Sequence, residues 1–133
     1  MKVEGVAEDE EQEEVRRALV VDDDAAIRIL VSRILRRQGF VVDAAADGAE
    51  AIEALLRKDY SLITLDLMMP RIDGYGVVKY LAEHKPELFN RVIVMTAFGP
   101  SALETICPPV VRLLHKPFEI DELLREAEEA VAS

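Results

Sequence analysis

Short continuous apolar runs alternate with stretches of helical periodicity along this chain. Ala18-Leu19-Val20-Val21 is too short for a helix and rich in valine, which suits a strand buried on both faces. Ile27, Leu30, Val31, Ile34 and Leu35 then fall at helical spacing on one face, and Gly39 follows as a left-handed stop. Phe40-Val41-Val42 reads as a second strand, Asp47-Gly48 as a turn, and Ile52, Leu55 and Leu56 as the buried side of a second helix. Ser61 to Leu65 is a third strand ending at Asp66. Pro70 and Asp73-Gly74 interrupt the chain before a helix carrying Val77, Val78 and Leu81, with Pro86 beyond it. Arg91 to Met95 is a fourth strand, followed by Thr96. Ser101 to Ile106 suits a short fourth helix that Pro108-Pro109 cannot continue. Val110 to Leu114 is a fifth strand ending before Lys116-Pro117, and Ile120, Leu123, Leu124, Ala127 and Val131 line a last helix.

Strands alternating with helices predict βαβ units: an α/β, doubly wound, five-stranded parallel sheet flanked by five helices. The first sixteen residues do not join this pattern. From Met1 to Glu14 there are seven acids against Lys2 alone, a local charge of −6 within a total of −10. Such a block lacks the apolar side chains that offset ordering entropy, so residues 1–16 are expected to form a disordered acidic tail and 17–131 the folded domain. The overall acidity argues against direct nucleic-acid binding, which needs a basic footprint. No apolar run reaches the roughly 20 residues of a membrane span, and no apolar leader is legible. The lone Cys107 cannot form an internal disulfide, which makes a reducing cytoplasm the expected compartment.

In open parallel sheets, ligands bind beyond the carboxyl ends of the strands. Those ends carry Asp22-Asp23, Asp66, Thr96 and Lys116. Singly, each has a plain structural role: Asp23 or Asp24 can cap the next helix, Asp66 and Thr96 can close turns, and Lys116 can be a surface lysine. Together they mean more. Carboxylates crowded at one edge raise one another's pKa values unless a cation intervenes, and hard oxygen ligands suit Mg²⁺. A lysine and a hydroxyl beside that metal complete a cage for a phosphoryl group, with Asp66 as the central nucleophile.

The runs LVVDDDAAIR, TLDLMMPRIDGY, VIVMTA and HKPF, in this order and spacing, resemble the response-regulator receiver family from about Arg17 to Val131. The resemblance implies a flavodoxin-like receiver fold with strand order 2-1-3-4-5, working not as an enzyme but as a signalling switch that catalyses its own phosphotransfer and dephosphorylation. It implies Asp66 as the phosphoacceptor, supplied by a histidine kinase or a histidine phosphotransfer protein. It implies Asp22, Asp23, Asp66 and the backbone carbonyl of Met68 as Mg²⁺ ligands, with Asp23 a more direct ligand than Asp22. Thr96 is similar to the family's switch hydroxyl and Lys116 to its phosphate-site cation, followed by a cis bond to Pro117. The implied reader of the switch is a downstream protein target or a covalently linked output domain, and the face of the fourth helix, fifth strand and fifth helix is a candidate homodimer surface.

Two features depart from the family pattern. Leu113 stands where an aromatic side chain is usual, three positions before the lysine, and the stretch from Thr96 to Lys116 is short. Both touch the output surface rather than the chemistry, and Leu113 keeps open a pseudo-receiver that never cycles phosphate. A phosphatase of the haloacid dehalogenase type is disfavoured, because Met68 stands where its general acid would be.

Overall fold

The structure, a computed structural model, describes residues 15–67, 74–97 and 112–132. In chain order these form β1 (Arg17–Val21), α1 (Ala25–Arg37), β2 (Val41–Ala45), α2 (Gly48–Arg57), β3 (Leu62–Asp66) and α3 (Gly74–His84). A 3₁₀ helix (Pro86–Arg91), β4 (Val92–Thr96), β5 (Arg112–His115) and α4 (Ile120–Ala132) follow. All strand pairs are parallel and the sheet order is β2-β1-β3-β4-β5, as the α/β reading requires. The acidic tail through Glu14 and the expected fourth helix at 101–106 lie outside the described residues.

Burial explains the apolar runs. Every residue of β3 and β4 is buried, because central strands are covered on both faces, whereas edge strand β2 mixes exposed and buried positions. The pleat sends alternate side chains to two cores. Leu19, Val21, Ile63, Leu65, Val92 and Val94 meet α2 and α3 through Leu55, Val77, Val78 and Leu81. Ala18, Val20, Leu62, Ile93 and Met95 meet α1 and α4 through Val31, Ile34, Leu35, Leu123 and Ala127.

Local chemistry sets the helix boundaries. The Asp24 carboxylate accepts from the amides of Ala26 (2.9 Å) and Ile27 (3.3 Å), capping α1. The chain leaves α1 through Gly39 at φ +97°, a left-handed position that glycine occupies without Cβ strain. Asp47, more than a turn residue, caps α2 by accepting from the Glu50 amide at 2.9 Å.

Several side chains expected in the core are not there. Leu30, Leu56 and Ile120 are 46%, 68% and 51% exposed. Helical periodicity marks an apolar stripe, but the sheet covers only the part of it facing inward. Strand limits also shift: β2 starts after Phe40 and runs on to Ala45, and β3 and β4 each start one residue later and include Asp66 and Thr96. β5 runs on through His115, and the segment after α3 winds into a 3₁₀ helix instead of stopping at Pro86.

This division has a measurable consequence. Leu35→Ala should cost about 2–5 kcal/mol of unfolding free energy, as for a fully buried leucine. Leu56→Ala should stay within roughly 0.5 kcal/mol of the parent in the same urea titration.

Candidate functional site

The sheet ladder itself assembles the strand-end residues. Asp22 follows β1, its amide donating to the Ala45 carbonyl at 3.2 Å. Asp66 closes β3 opposite Met95, and Thr96 closes β4 opposite His115. The Lys116 amide donates to the Thr96 carbonyl at 2.9 Å, so the lysine leaves the sheet one residue beyond the last rung. A cis peptide joins Lys116 to Pro117.

Asp22, Asp66 and Thr96 are buried, at 2%, 7% and 1% exposure, whereas Asp23 is exposed. The Lys116 ammonium donates to Asp22 Oδ2 at 2.9 Å and lies 3.6 Å from Asp66 Oδ2. Asp22 Oδ1 accepts from the Asp24 amide at 2.9 Å, and the Arg28 guanidinium donates to the Asp22 carbonyl at 2.8 Å. Both carboxylate oxygens of Asp22 are therefore engaged by the protein. Carboxylate oxygens of Asp22, Asp23 and Asp66 all lie within 4.8 Å of one another.

Among the described residues the electrostatics are unbalanced: three carboxylates face one ammonium. Burial works to lower the Lys116 pKa, but the hydrogen bond to Asp22 and the charges of Asp22 and Asp66 outweigh it and hold the pKa above the ordinary lysine value. The excess negative charge and the all-oxygen donor set fit a hard divalent cation of the Mg²⁺ type.

α3 is seated directly on the end of β3. The Gly74 amide donates to the Leu67 carbonyl at 2.9 Å. A Cβ at position 74 would stand 2.3 Å from the Asp66 carbonyl oxygen and 2.4 Å from Leu67 Cα, so no larger residue fits. Gly74 thus ties down the backbone at Leu67, next to Asp66, and Arg28 holds the backbone carbonyl of Asp22. Sequence reasoning saw Gly74 as a chain break and gave Arg28 no role.

Of the residues singled out from sequence, Asp22, Asp23, Asp66 and Lys116 come together, and Thr96 ends the strand beside them. Met68 lies outside the described residues, as do Cys107 and Pro108-Pro109. Leu113 pairs in register with Val94 and packs, half-buried, against the core on the α3 side. His84 is exposed against the Tyr80 ring, 4.7 Å away. Among the described residues no helix is long and apolar enough to cross a membrane.

Comparison with known proteins agrees with this geometry. The family model described as "Response regulator receiver domain" matches residues 18–128. Sporulation initiation phosphotransferase F from Bacillus subtilis is 32% identical over 109 residues, spanning 80% of this chain and 86% of that protein. The DNA-binding transcriptional regulator NtrC from Escherichia coli is 35% identical over 85% of this chain, which covers only 24% of NtrC. A crystal structure of the response regulator TrrA from Thermotoga maritima, in complex with Mg(2+)-BeF, superposes with a TM-score of 0.77. That likeness is at 29% identity and covers 87% of this chain and 99% of that one. A parallel sheet in receiver order, an acid–lysine cluster at its carboxyl edge and a family match over most of the chain converge: this protein belongs to the response regulator receiver domain family.

Proposed function

We propose that this chain is a phosphorylation switch in which Asp66 accepts a phosphoryl group from a histidine kinase or a histidine phosphotransfer protein. The observation that carries the reading is the position of Asp66: buried at the end of a central strand, in a three-carboxylate cluster, with Lys116 Nζ 3.6 Å away. An Asp66 carboxylate oxygen attacks phosphorus as the phosphorus–nitrogen bond of the donor phosphohistidine breaks, and the imidazole leaves with its electron pair. The protein's own contribution is positioning and charge neutralisation. Lys116 stabilises charge on the phosphoryl oxygens, and the Thr96 hydroxyl turns toward the acyl phosphate as the switch. Asp22, Asp23, Asp66 and the Met68 carbonyl would hold Mg²⁺, which when bound supplies the remaining neutralisation. Asp22 already answers Lys116 and the Asp24 amide, which favours Asp23 as the more direct ligand.

The switch acts through protein contact, on a downstream target or a linked output domain. The domain runs from 17 to 131 behind the acidic leader, and the setting is cytoplasmic. A homodimer through the face of the expected helix at 101–106, β5 and α4 is one form of that contact. The other reading, a pseudo-receiver, draws on Leu113, which replaces the usual aromatic relay at the half-buried position beside Val94.

Incubation with Mg²⁺ and a small phosphodonor should give one phosphoryl adduct by intact mass. The adduct should vanish in Asp66→Asn and when a chelator is added. A folded wild type that stays unmodified would favour the pseudo-receiver, and an adduct surviving the substitution would place the acceptor elsewhere.

Lys116 also sets an alkaline limit on the metal-free fold. Because its pKa is raised, its stabilising contribution is complete below the ordinary value of 10.5 and is lost as pH rises through the higher folded value. The stability difference between wild type and Lys116→Gln should be level from about pH 7 to about pH 10 and close above that, in urea titrations with chelator present.

A further inference from the structure

α1 carries an exposed stripe that the core does not use. Ile29 and Leu30 are 53% and 46% exposed, and Arg33, Arg36 and Arg37 are exposed as well. These positions recur at three- and four-residue spacing and share one face of the helix. Among the described residues, no carboxylate lies within ion-pair distance of Arg33, Arg36 or Arg37, whereas Arg16 meets Glu128 at 3.0 Å and Arg112 meets Glu129 at 3.2 Å. Of the three, only Arg36 reaches a partner among the described residues, donating to the Val42 carbonyl at 3.4 Å.

The chain enters β1 beside this same end of α1. The Val41 amide donates to the Arg16 carbonyl at 2.8 Å, and the Arg16 guanidinium lies 4.3 Å above the Phe40 ring. The Phe40 amide in turn donates to the Leu35 carbonyl at 3.1 Å. The basic last turn of α1 and the start of the folded domain are therefore neighbours. Immediately before Val15, six acids stand within seven residues: Glu8, Asp9, Glu10, Glu11, Glu13 and Glu14.

We propose that the segment 8–14 docks in cis on the Arg33–Arg37 face of α1, and that this contact screens the face from acidic partners. Seven residues extend up to about 25 Å, whereas Arg33 to Arg37 spans roughly 6 Å along the helix, so reach is not limiting. Exposed ion pairs are individually weak, but a short tether makes the encounter intramolecular, at an effective concentration on the order of millimolar. The contact is electrostatic, so salt dissolves it. Ile29 and Leu30 border the same face, and an acidic partner that also used them would have to displace the leader.

Amide NMR spectra of the full chain provide the test, compared with a full-length variant in which the five glutamates of the segment become Gln and Asp9 becomes Asn. At low salt, amide shifts from Arg33 to Gly39 should differ between the two proteins. The differences should vanish near 1 M salt, where the Debye length is about 3 Å. A second variant, Arg33→Gln with Arg37→Gln, should abolish the salt dependence of the leader's own amides. Identical α1 shifts at low salt, or differences that persist at high salt, would overturn the proposal. Differences that fade on dilution would also overturn it, by assigning the face to the acidic α4 of a second copy.

Discussion

One constraint organises the molecule: a single ammonium, Lys116, is shared between two buried carboxylates that would otherwise oppose each other. It donates to Asp22 at 2.9 Å and stands 3.6 Å from Asp66. Two carboxylates separated by at most 4.8 Å repel by roughly 3 kcal/mol or more at an effective dielectric near 20. One lysine relieves that repulsion without cancelling it, and Asp23 adds a third negative charge at the rim. A fold that keeps such a cluster together holds a standing preference for cations, and for chemistry in which added charge is matched by them.

The rest of the architecture bears that tension. β3 and β4 are buried throughout, so the strand carrying Asp66 is clamped by apolar side chains on both faces. Gly74 brings α3 onto the Asp66–Leu67 backbone closer than any side chain would permit. Arg28 and the Asp24 amide fix Asp22 from the opposite side. Asp66 thus rests on the buried centre of the sheet, the placement that the proposed in-line transfer would need, since small displacements there are costly. Thr96 and Leu113 lie on the neighbouring β4 and β5, the side through which the proposed switch would be read.

Much of this was legible beforehand because parallel sheets bury both faces of their central strands, so Val92–Met95 appears as an unbroken apolar run and Leu62–Leu65 as one interrupted only by Thr64. The strand-end rule then selected the acids, the threonine and the lysine before any distance was known. Less was legible where tertiary context decides. Leu56 has the right period for a core position, yet it sits on the side of α2 away from the sheet. Periodicity cannot say how wide a stripe the neighbours will cover. The closer partner of Lys116 is Asp22, 94 positions away, and spacing alone could not choose it over Asp66. Gly74 resembled an ordinary turn residue because its role depends on how near one backbone passes another.

The most direct measurement is thermal unfolding across a Mg²⁺ titration, comparing wild type with Asp23→Asn. Asp23 is exposed and makes no contact that Lys116 depends on, so its loss should leave the fold intact. Binding to the native state alone should raise wild-type stability by about 2.7 kcal/mol at a hundredfold excess over Kd. The Asp23→Asn protein should show little of that gain at the same concentration. Equal gains in the two proteins, or none in wild type, would contradict a cation site built from this carboxylate cluster.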